Sequence, residues 1–337
     1  MRNRVISSFF LCALCGLCAI SCDKGDQSAG PPSATTAPAT AKVRLQLNWV
    51  PEPQFGGFYE AQRIGAFAKH NLDVEIVPGG AGTPTVQMIG AGSVPFGIVS
   101  ADEIVVARSR GNDVVALFAV YQTCPQGIMA HAARGFKSVE DVFKNPGTLA
   151  MQRGLPYADF LIKKYGAEGG PRIVPSPGGS IAAFLADPNF SQQCFVTSEP
   201  ILARQQGAAP AAFLVADAGY NPYTTVVATS GKSLKENRDV ARRMVLAARE
   251  GWDSYLYAPA KGNEVMQSLN KTMDARTFDE SATAQEMLIS TSEVVQRGVG
   301  VMTGERWQTL VQQLLDLKVI ETAPRAEECF ADVAPPE

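Results

Sequence analysis

From Val43 onward, short β-like runs alternate with helical patterns along most of the chain, and this rhythm narrows the accessible folds more than any other feature of the sequence. Val43, Leu45, Leu47 and Trp49 alternate with polar residues, as a half-buried strand does. A helical pattern over 57–70 leads to a strand-like run over 72–77. Gly79, Gly80 and Gly82 then break the chain, and Thr83 with Pro84 predicts an N-cap and first-turn proline for a helix reaching Ala91. Residues 96–99 read as a strand. Ser100 and Glu103 have capping-box spacing for a helix reaching Arg110, and 114–121 reads as a buried strand. A second capping box spans Ser138 and Asp141. It is followed by a strand over 148–151, a helix over 157–165, strand-like Ile173 and Val174, and a helix opening at Gly178, Gly179 and Ser180. Short strands over 195–197 and 212–215 flank a helix over 200–206. After a strand at 223–228 the chain is mostly helical, with Trp307, Leu310, Val311, Leu314 and Leu315 on one face. The alternation predicts an α/β protein with doubly wound parallel sheets. Such sheets bind small ligands beyond the carboxyl ends of their strands. Loops at 79–84, 99–102, 176–180 and 197–200 each join a strand end to a helix start, where backbone N–H groups favour electron-rich ligand atoms.

The first 41 residues have a different character. Arg2 and Arg4 precede an apolar run over 5–20 that ends at Ser21 and Cys22. A basic front, a short apolar stretch and a small-residue exit predict an export signal over 1–21, too short to span a bilayer comfortably. Cleavage before Cys22 leaves a thiol ready for lipidation. The box Ala19-Ile20-Ser21-Cys22 resembles a bacterial lipobox with Ala where Leu is usual, and Asp23 after the cysteine implies retention at the inner membrane. Cys12, Cys15, Cys18 and Cys22 also have the C-x2-C-x2-C-x3-C spacing of an iron–sulfur ligand set. They sit inside the apolar segment, with no following proline and no second cluster motif, which favours the export reading. Residues 22–41 are rich in Gly, Ser, Pro, Ala and Thr and read as a flexible tether.

The remaining length suits about two domains. The chain carries 30 basic and 33 acidic residues, a net charge of −3, and loss of Arg2 and Arg4 with a leader makes the balance more acidic. That disfavours a nucleic-acid partner. Cys124, Cys194 and Cys329 allow one disulfide and a free thiol, or no bridge. With only His70 and His131, and no close His/Cys spacing, no structural zinc site is expected. No nucleophile elbow or Walker loop is present, and no cofactor is expected.

Several linked segments carry a resemblance: QLNWVPEPQFGGFYEA from Gln46, GAFAKHNLDVEIVPGG from Gly65, SVPFGIVSADEIVVARSRG from Ser93, AVYQTCPQGIMAH from Ala119 and VTSEP from Val196. Together they resemble the thiamine-pyrimidine-precursor binding group of ABC-transporter substrate-binding proteins, whose neighbours include riboflavin and alkylsulfonate binders. The resemblance runs over about 42–317. It implies a two-lobed periplasmic-binding-protein type II fold, each lobe a mostly parallel sheet flanked by helices. Lobe 1 would comprise 42–120 plus 223–337 and lobe 2 would comprise 123–221, with hinge crossings near 121–122 and 220–222. Closure about such a hinge buries a small-molecule ligand, and an ABC permease then recognises the closed form. No chemistry is performed.

Candidate ligand residues follow from the loops and these motifs. Trp49, Phe55 and Tyr59 come just after the first strand, where aromatic faces can stack on a flat ring for roughly 0.5 to 1.5 kcal/mol per pair; core packing is the competing role for Phe55. Asn48 accompanies Trp49 in the family motif. Glu199 follows an apolar run and precedes Pro200; it either accepts from the exocyclic amine of an aminopyrimidine or simply offsets a helix dipole. Ser100 and Asp102 are explained equally by the cap. Gln122 and Asn221 either reach a ligand or fasten the hinge, and Tyr157 is a second aromatic face or a core residue. Riboflavin is the nearest rival ligand. An alkylsulfonate would call for Arg or Lys within 49–57 or 79–84, and neither stretch has one. The family's eukaryotic relatives include a pyrimidine-phosphate synthase with a cysteine-rich iron motif, whereas the cysteines of the body here are scattered singly.

Overall fold

The computed structural model describes residues 39–335 apart from Ala167 and Pro177. The export signal, Cys22 and nearly all of the tether lie outside the described residues. Ten strands among them form two five-stranded sheets. The first contains β1 (Ala41–Gln46), β2 (Leu72–Val77), β3 (Phe96–Val99), β4 (Val114–Tyr121) and β10 (Thr224–Ser230), in the order β2-β1-β3-β10-β4. The second contains β5 (Gln126–His131), β6 (Thr148–Ala150), β7 (Arg172–Val174), β8 (Phe190–Phe195) and β9 (Pro210–Leu214), in the order β7-β6-β8-β5-β9. The chain passes from the first sheet to the second between Tyr121 and Gln126, and returns between Leu214 and Thr224.

The expected mostly parallel order holds, with four of the five strands of each sheet running one way and one reversed. The pairs β1–β2, β1–β3, β6–β7 and β6–β8 are parallel, while β10 runs antiparallel to β3 and β4, and β5 antiparallel to β8 and β9. One strand in each sheet enters next to a crossing, from the end opposite to its neighbours. A hydrophobicity pattern reports burial and says nothing of strand direction.

Local chemistry explains most boundaries. The Glu103 carboxylate accepts from the Ser100 N–H at 2.8 Å, closing the first capping box, and Asp141 and Ser138 close the second reciprocally. The helix expected over 57–70 is two helices, Gly56–Arg63 and Ala66–Lys69, separated where Gly65 adopts a φ of 77°. Thr83 does not cap a helix: its hydroxyl accepts from the Gly80 N–H at 2.9 Å, and the helix begins one residue after Pro84, as Thr85–Gly90. The helix placed at Gly178 starts instead at Ala182, because Gly178 and Gly179 take left-handed φ values of 64° and 90°. The strand placed at 195–197 ends at Phe195 and extends back to Phe190 through Ser191 and Gln192, which are polar yet buried.

Helices cover both sheets. The long helix Arg238–Tyr257 packs on Gly56–Arg63 so closely that a Cβ on Gly56 or Gly57 would lie 2.1 Å from the Tyr255 ring or 2.2 Å from that of Trp252. The expected face of Trp307, Leu310, Val311 and Leu314 is buried on the helix Gly304–Asp316. Cys124, Cys194 and Cys329 are buried and free, so no disulfide joins them. Among the described residues, no helix is long and apolar enough to cross a membrane.

Candidate functional site

The loop after β1 is held on every side. Leu47 N–H donates to Val77 at 2.9 Å and Gly79 N–H donates to Trp49 at 3.0 Å; a Cβ on Gly79 would lie 2.2 Å from the Leu47 carbonyl oxygen, which makes glycine obligatory there. Further along, Asn270 donates to the Pro51 carbonyl and Gln285 to the Pro53 carbonyl, both at 3.0 Å. The fully buried Gln285 also accepts from the Tyr121 hydroxyl at 2.7 Å. This bracing presents the half-buried Trp49, whose indole N–H donates to Glu52 Oε1 at 3.2 Å. Asn48 is half-buried beside Gly79.

On the second half, β8 delivers the chain to Thr197 and the helix Glu199–Gln205. Glu199 Oε2 accepts from the Phe195 N–H at 2.8 Å, and Oε1 lies 4.0 Å from where a Cβ on Gly179 would stand. Burial raises the Glu199 carboxyl to about 7, against hydrogen bonds from its own N–H and that of Phe195. Burial likewise raises Glu52 to about 7; the Trp49 N–H opposes this and the charge of Glu199 adds to it. The two carboxylates belong to opposite halves, Glu52 to the loop after β1 and Glu199 to the helix after β8. Tyr157 is buried nearby and donates to Gln193. Burial pushes its hydroxyl up, reinforced by Cys194, Cys124 and Glu199. Burial also pushes up Tyr121, despite Thr197 beside it, with the charge of Glu52 adding to the shift.

The crossings carry the remaining expected residues. Asn221 Oδ1 accepts from the Cys124 N–H at 2.8 Å and from Arg306 Nη2 at 3.1 Å, tying both crossings to the helix Gly304–Asp316. Arg306 also donates through Nε to the Asn221 carbonyl at 2.9 Å and lies 3.9 Å from the Tyr223 ring centre. Gln122 is buried and donates to the Ala119 and Val301 carbonyls at 3.2 and 3.1 Å, so it acts as a fastener. Ser100 closes its cap and donates to Asp102, which accepts from the Tyr220 hydroxyl at 3.1 Å.

Of the residues expected from sequence, Trp49 stands on the loop after β1 of the first half, Tyr157 and Glu199 stand at helix starts of the second, and Asp102, through Tyr220, and Asn221 stand beside the crossings. Phe55 and Tyr59 are buried in the core of the first half, the Tyr59 hydroxyl without a partner among the described residues and raised to about 12 by burial. Glu52, Tyr121 and Gln285 were missed. The signal for Glu52 was its place between Pro51 and Pro53 directly after the aromatic; Gln285 gave none. A separate small hollow beside Arg249, Gly300 and Met302 lies within the first half, where Arg249 donates to the Val299 and Ala334 carbonyls, as a structural residue does.

Comparison with known proteins places this geometry. The chain is 23% identical over 314 residues to the formylaminopyrimidine-binding protein of Halalkalibacterium halodurans, covering 89% of this chain and 93% of that one. It is 23% identical over 309 residues to the riboflavin-binding protein RibY of Chloroflexus aurantiacus, covering 87% and 85%. A shorter match, 24% over 102 residues and about a third of each chain, is to the 4-amino-5-hydroxymethyl-2-methylpyrimidine phosphate synthase of Legionella pneumophila. Among solved structures, the periplasmic aliphatic sulphonate binding protein SsuA of Escherichia coli aligns with a TM-score of 0.65 at 13% identity, over 88% of this chain and 92% of that one. The fold is thus the two-lobed α/β fold of periplasmic binding proteins. Residues 52–261 match the model of the NMT1/THI5-like family, and the chain belongs to that family.

Proposed function

We propose that this protein is the solute-binding component of an ABC importer, and that it captures a flat nitrogen heterocycle such as a thiamine-related aminopyrimidine and delivers it to a permease. The two sheets act as lobes hinged near 121–122 and 220–222, and Cys22 carries a lipid that holds the body at the outer face of the cell membrane. The observation that supports this reading is the likeness to the formylaminopyrimidine-binding protein over 89% of this chain, beside a braced, half-buried Trp49 bonded to Glu52 on the first half and a half-buried Glu199 on the second. A ring stacked on Trp49 would gain roughly 0.5 to 1.5 kcal/mol beyond area burial, a useful share of the roughly 8 kcal/mol of micromolar binding. Glu199 would accept from an exocyclic amine. Tyr157 would form a further wall.

Riboflavin is the second reading, favoured by the RibY likeness, which extends over most of both chains. The synthase likeness covers 102 residues only and does not displace a binding role. A thermal-shift panel of aminopyrimidines, thiamine, riboflavin and alkylsulfonates tests the assignment, since a ligand that binds only the native state raises Tm. An aminopyrimidine should give the largest shift, and Trp49→Ala and Glu199→Ala should each reduce it. If both variants keep the full shift, the site is misplaced; turnover of a pyrimidine product with added iron would replace the binding role with an enzymatic one.

A further inference from the structure

We propose that Gln193 is a ligand-binding residue of the second half, whose amide Nε2 donates to a ring nitrogen of the captured heterocycle. This inference rests on the reading of the protein as a heterocycle receptor, and adds to it one contact and the ligand atom that takes it.

Two donors fix the amide. The backbone N–H of Gln152 donates to Gln193 Oε1 at 2.6 Å, and the Tyr157 hydroxyl donates to the same oxygen. A backbone N–H can only donate, so the oxygen faces Gln152 and Nε2 points away from both partners. These are the side-chain bonds of Gln193 among the described residues, and they leave the hydrogens on Nε2 unspent on a half-buried residue. The other strand glutamines behave differently. Gln46 Nε2 donates to the Leu47 carbonyl at 3.0 Å, and Gln126 and Gln192 donate through Nε2 to the Cys194 and Ser180 carbonyls, both at 3.2 Å. Each of those fastens backbone with its donor end, whereas Gln193 fastens with its oxygen and keeps the donor end open.

The position along the strand points the same way. β8 runs parallel to β6, and their register ends with Ala150 opposite Gln192. Gln193 therefore stands one residue past the last rung, where the chain leaves β6 through Gln152 towards the helix Pro156–Tyr165. This is the carboxyl end of two parallel strands, where open α/β sheets take small ligands. Around it the face is apolar: Ile128 lies opposite Gln193, Leu149 lies opposite Ser191, and both belong with Tyr157 to one buried cluster. An amide in such surroundings loses hydration, and its donor end lacks the partner that would offset the loss. A ring nitrogen supplies that partner. Phe195, two residues further along β8 and about 7 Å away at the rise of a strand, holds Glu199 through its N–H. The strand end thus carries a carboxylate that accepts from an exocyclic amine and an amide that donates to a ring nitrogen, the two complementary groups of an aminopyrimidine. With Glu199 on the amine and the nitrogen beside it, the acceptor left for Gln193 is the ring nitrogen remote from the amine.

The test is calorimetric titration of wild type and Gln193→Glu at pH 8.5 with 4-amino-2-methylpyrimidine and 2-amino-6-methylpyridine. The pyridine has CH in place of the remote ring nitrogen and keeps the amine, the nitrogen beside it and the methyl group. The glutamate keeps an oxygen for Gln152 and Tyr157 but has no donor when ionised, so a purely structural role survives the substitution and a donor role does not. Wild type should bind the pyrimidine about tenfold or more tightly than the pyridine, and Gln193→Glu should lose or reverse that preference. Equal binding of the two probes by wild type overturns the inference and leaves the receptor reading standing. So does an undiminished preference in the variant, or an equal loss of affinity for both probes. An unchanged Tm without ligand shows Gln193→Glu folded; if its Tm falls, Gln193→Met, which also lacks the donor, takes its place with the same expected loss of preference. If neither probe binds wild type, the aminopyrimidine reading fails first and the inference falls with it.

Discussion

Glu52 and Glu199 make the stability of the unliganded protein depend on pH in a direction opposite to that of most surface carboxylates. In the unfolded chain a glutamate titrates near 4.3, while in the native state burial raises both to about 7. Between those values the native state binds more protons than the unfolded one, so stability is greatest at the acid side of the window and falls as pH rises to about 7. At pH 8 each carboxylate is charged where burial disfavours the charge, so replacing one by a neutral side chain should recover about 1 to 3 kcal/mol. Glu199→Gln is expected to raise Tm at pH 8 and to flatten the slope of Tm between pH 5 and 8, as followed by scanning calorimetry; an unchanged slope would mean the carboxyl is not buried as described. The place of Glu199 was legible in the sequence because Pro200 follows, which fixes it at a helix start. Glu52 was not, because an acid in a loop between prolines has no periodicity. Tyr59 shows the converse: its position predicted a ligand contact, but on the helix Gly56–Arg63 it falls on the same side as Phe55 and Phe58, in the first core.

The loop that carries Trp49 and Glu52 takes its shape from a helix more than two hundred residues further along. Gln285, on the helix Ala275–Ile289, bonds both the Pro53 carbonyl and the Tyr121 hydroxyl without any exposure to solvent. Gln285→Ala strands two buried polar groups, at about 1 to 3 kcal/mol each. The expected outcome is a large drop in Tm together with weaker ligand binding, whereas Gln285→Glu should retain the bond from Tyr121 and lose only the donor to Pro53. A purely local loop would respond to neither. The close contact of Gly57 with Trp252 gives a second test at this scale. Gly57→Ala should destabilise by about 1 to 3 kcal/mol through overpacking, measured by denaturant midpoint, although alanine is the better helix former. Elements with strong apolar runs, such as β3 and β4, were readable from sequence with nearly correct limits. Polar strands were not: β8 hides as FSQQCF, where Ser191 and Gln192 are buried because the sheet pairs their backbone and Gln192 reaches the Ser180 carbonyl. Pairing partners and the one reversed strand of each sheet were beyond reach for the same reason, since they depend on what lies beside a strand and not on what lies along it.

The two halves meet through contacts of two kinds, and the difference between them bears on how a closing receptor would hold its ligand. On the crossing side, Tyr220 bonds Asp102, Gln313 donates to the Gly219 carbonyl at 2.7 Å, and Arg306 binds Asn221; all involve residues that the chain itself keeps close in any hinge state. Thr277 is different. Its hydroxyl donates to Gln205 Oε1 at 2.8 Å, joining the helix Ala275–Ile289 of the first half to the helix Glu199–Gln205 of the second, and neither helix belongs to a crossing. On the proposed hinge motion this bond exists only while the halves are together, so it favours the closed state without touching the ligand. Its loss should shift the population towards the open state and weaken apparent affinity by the same factor for every ligand that requires closure. A hydrogen bond of this kind contributes about 0.5 to 1.5 kcal/mol, which corresponds to roughly two- to tenfold in Kd. Thr277→Val, which removes the hydroxyl, is therefore expected to weaken aminopyrimidine binding two- to tenfold and to increase the radius of gyration of the unliganded protein in solution scattering. Equal affinity and equal dimensions in wild type and Thr277→Val would show that the bond takes no part in closure.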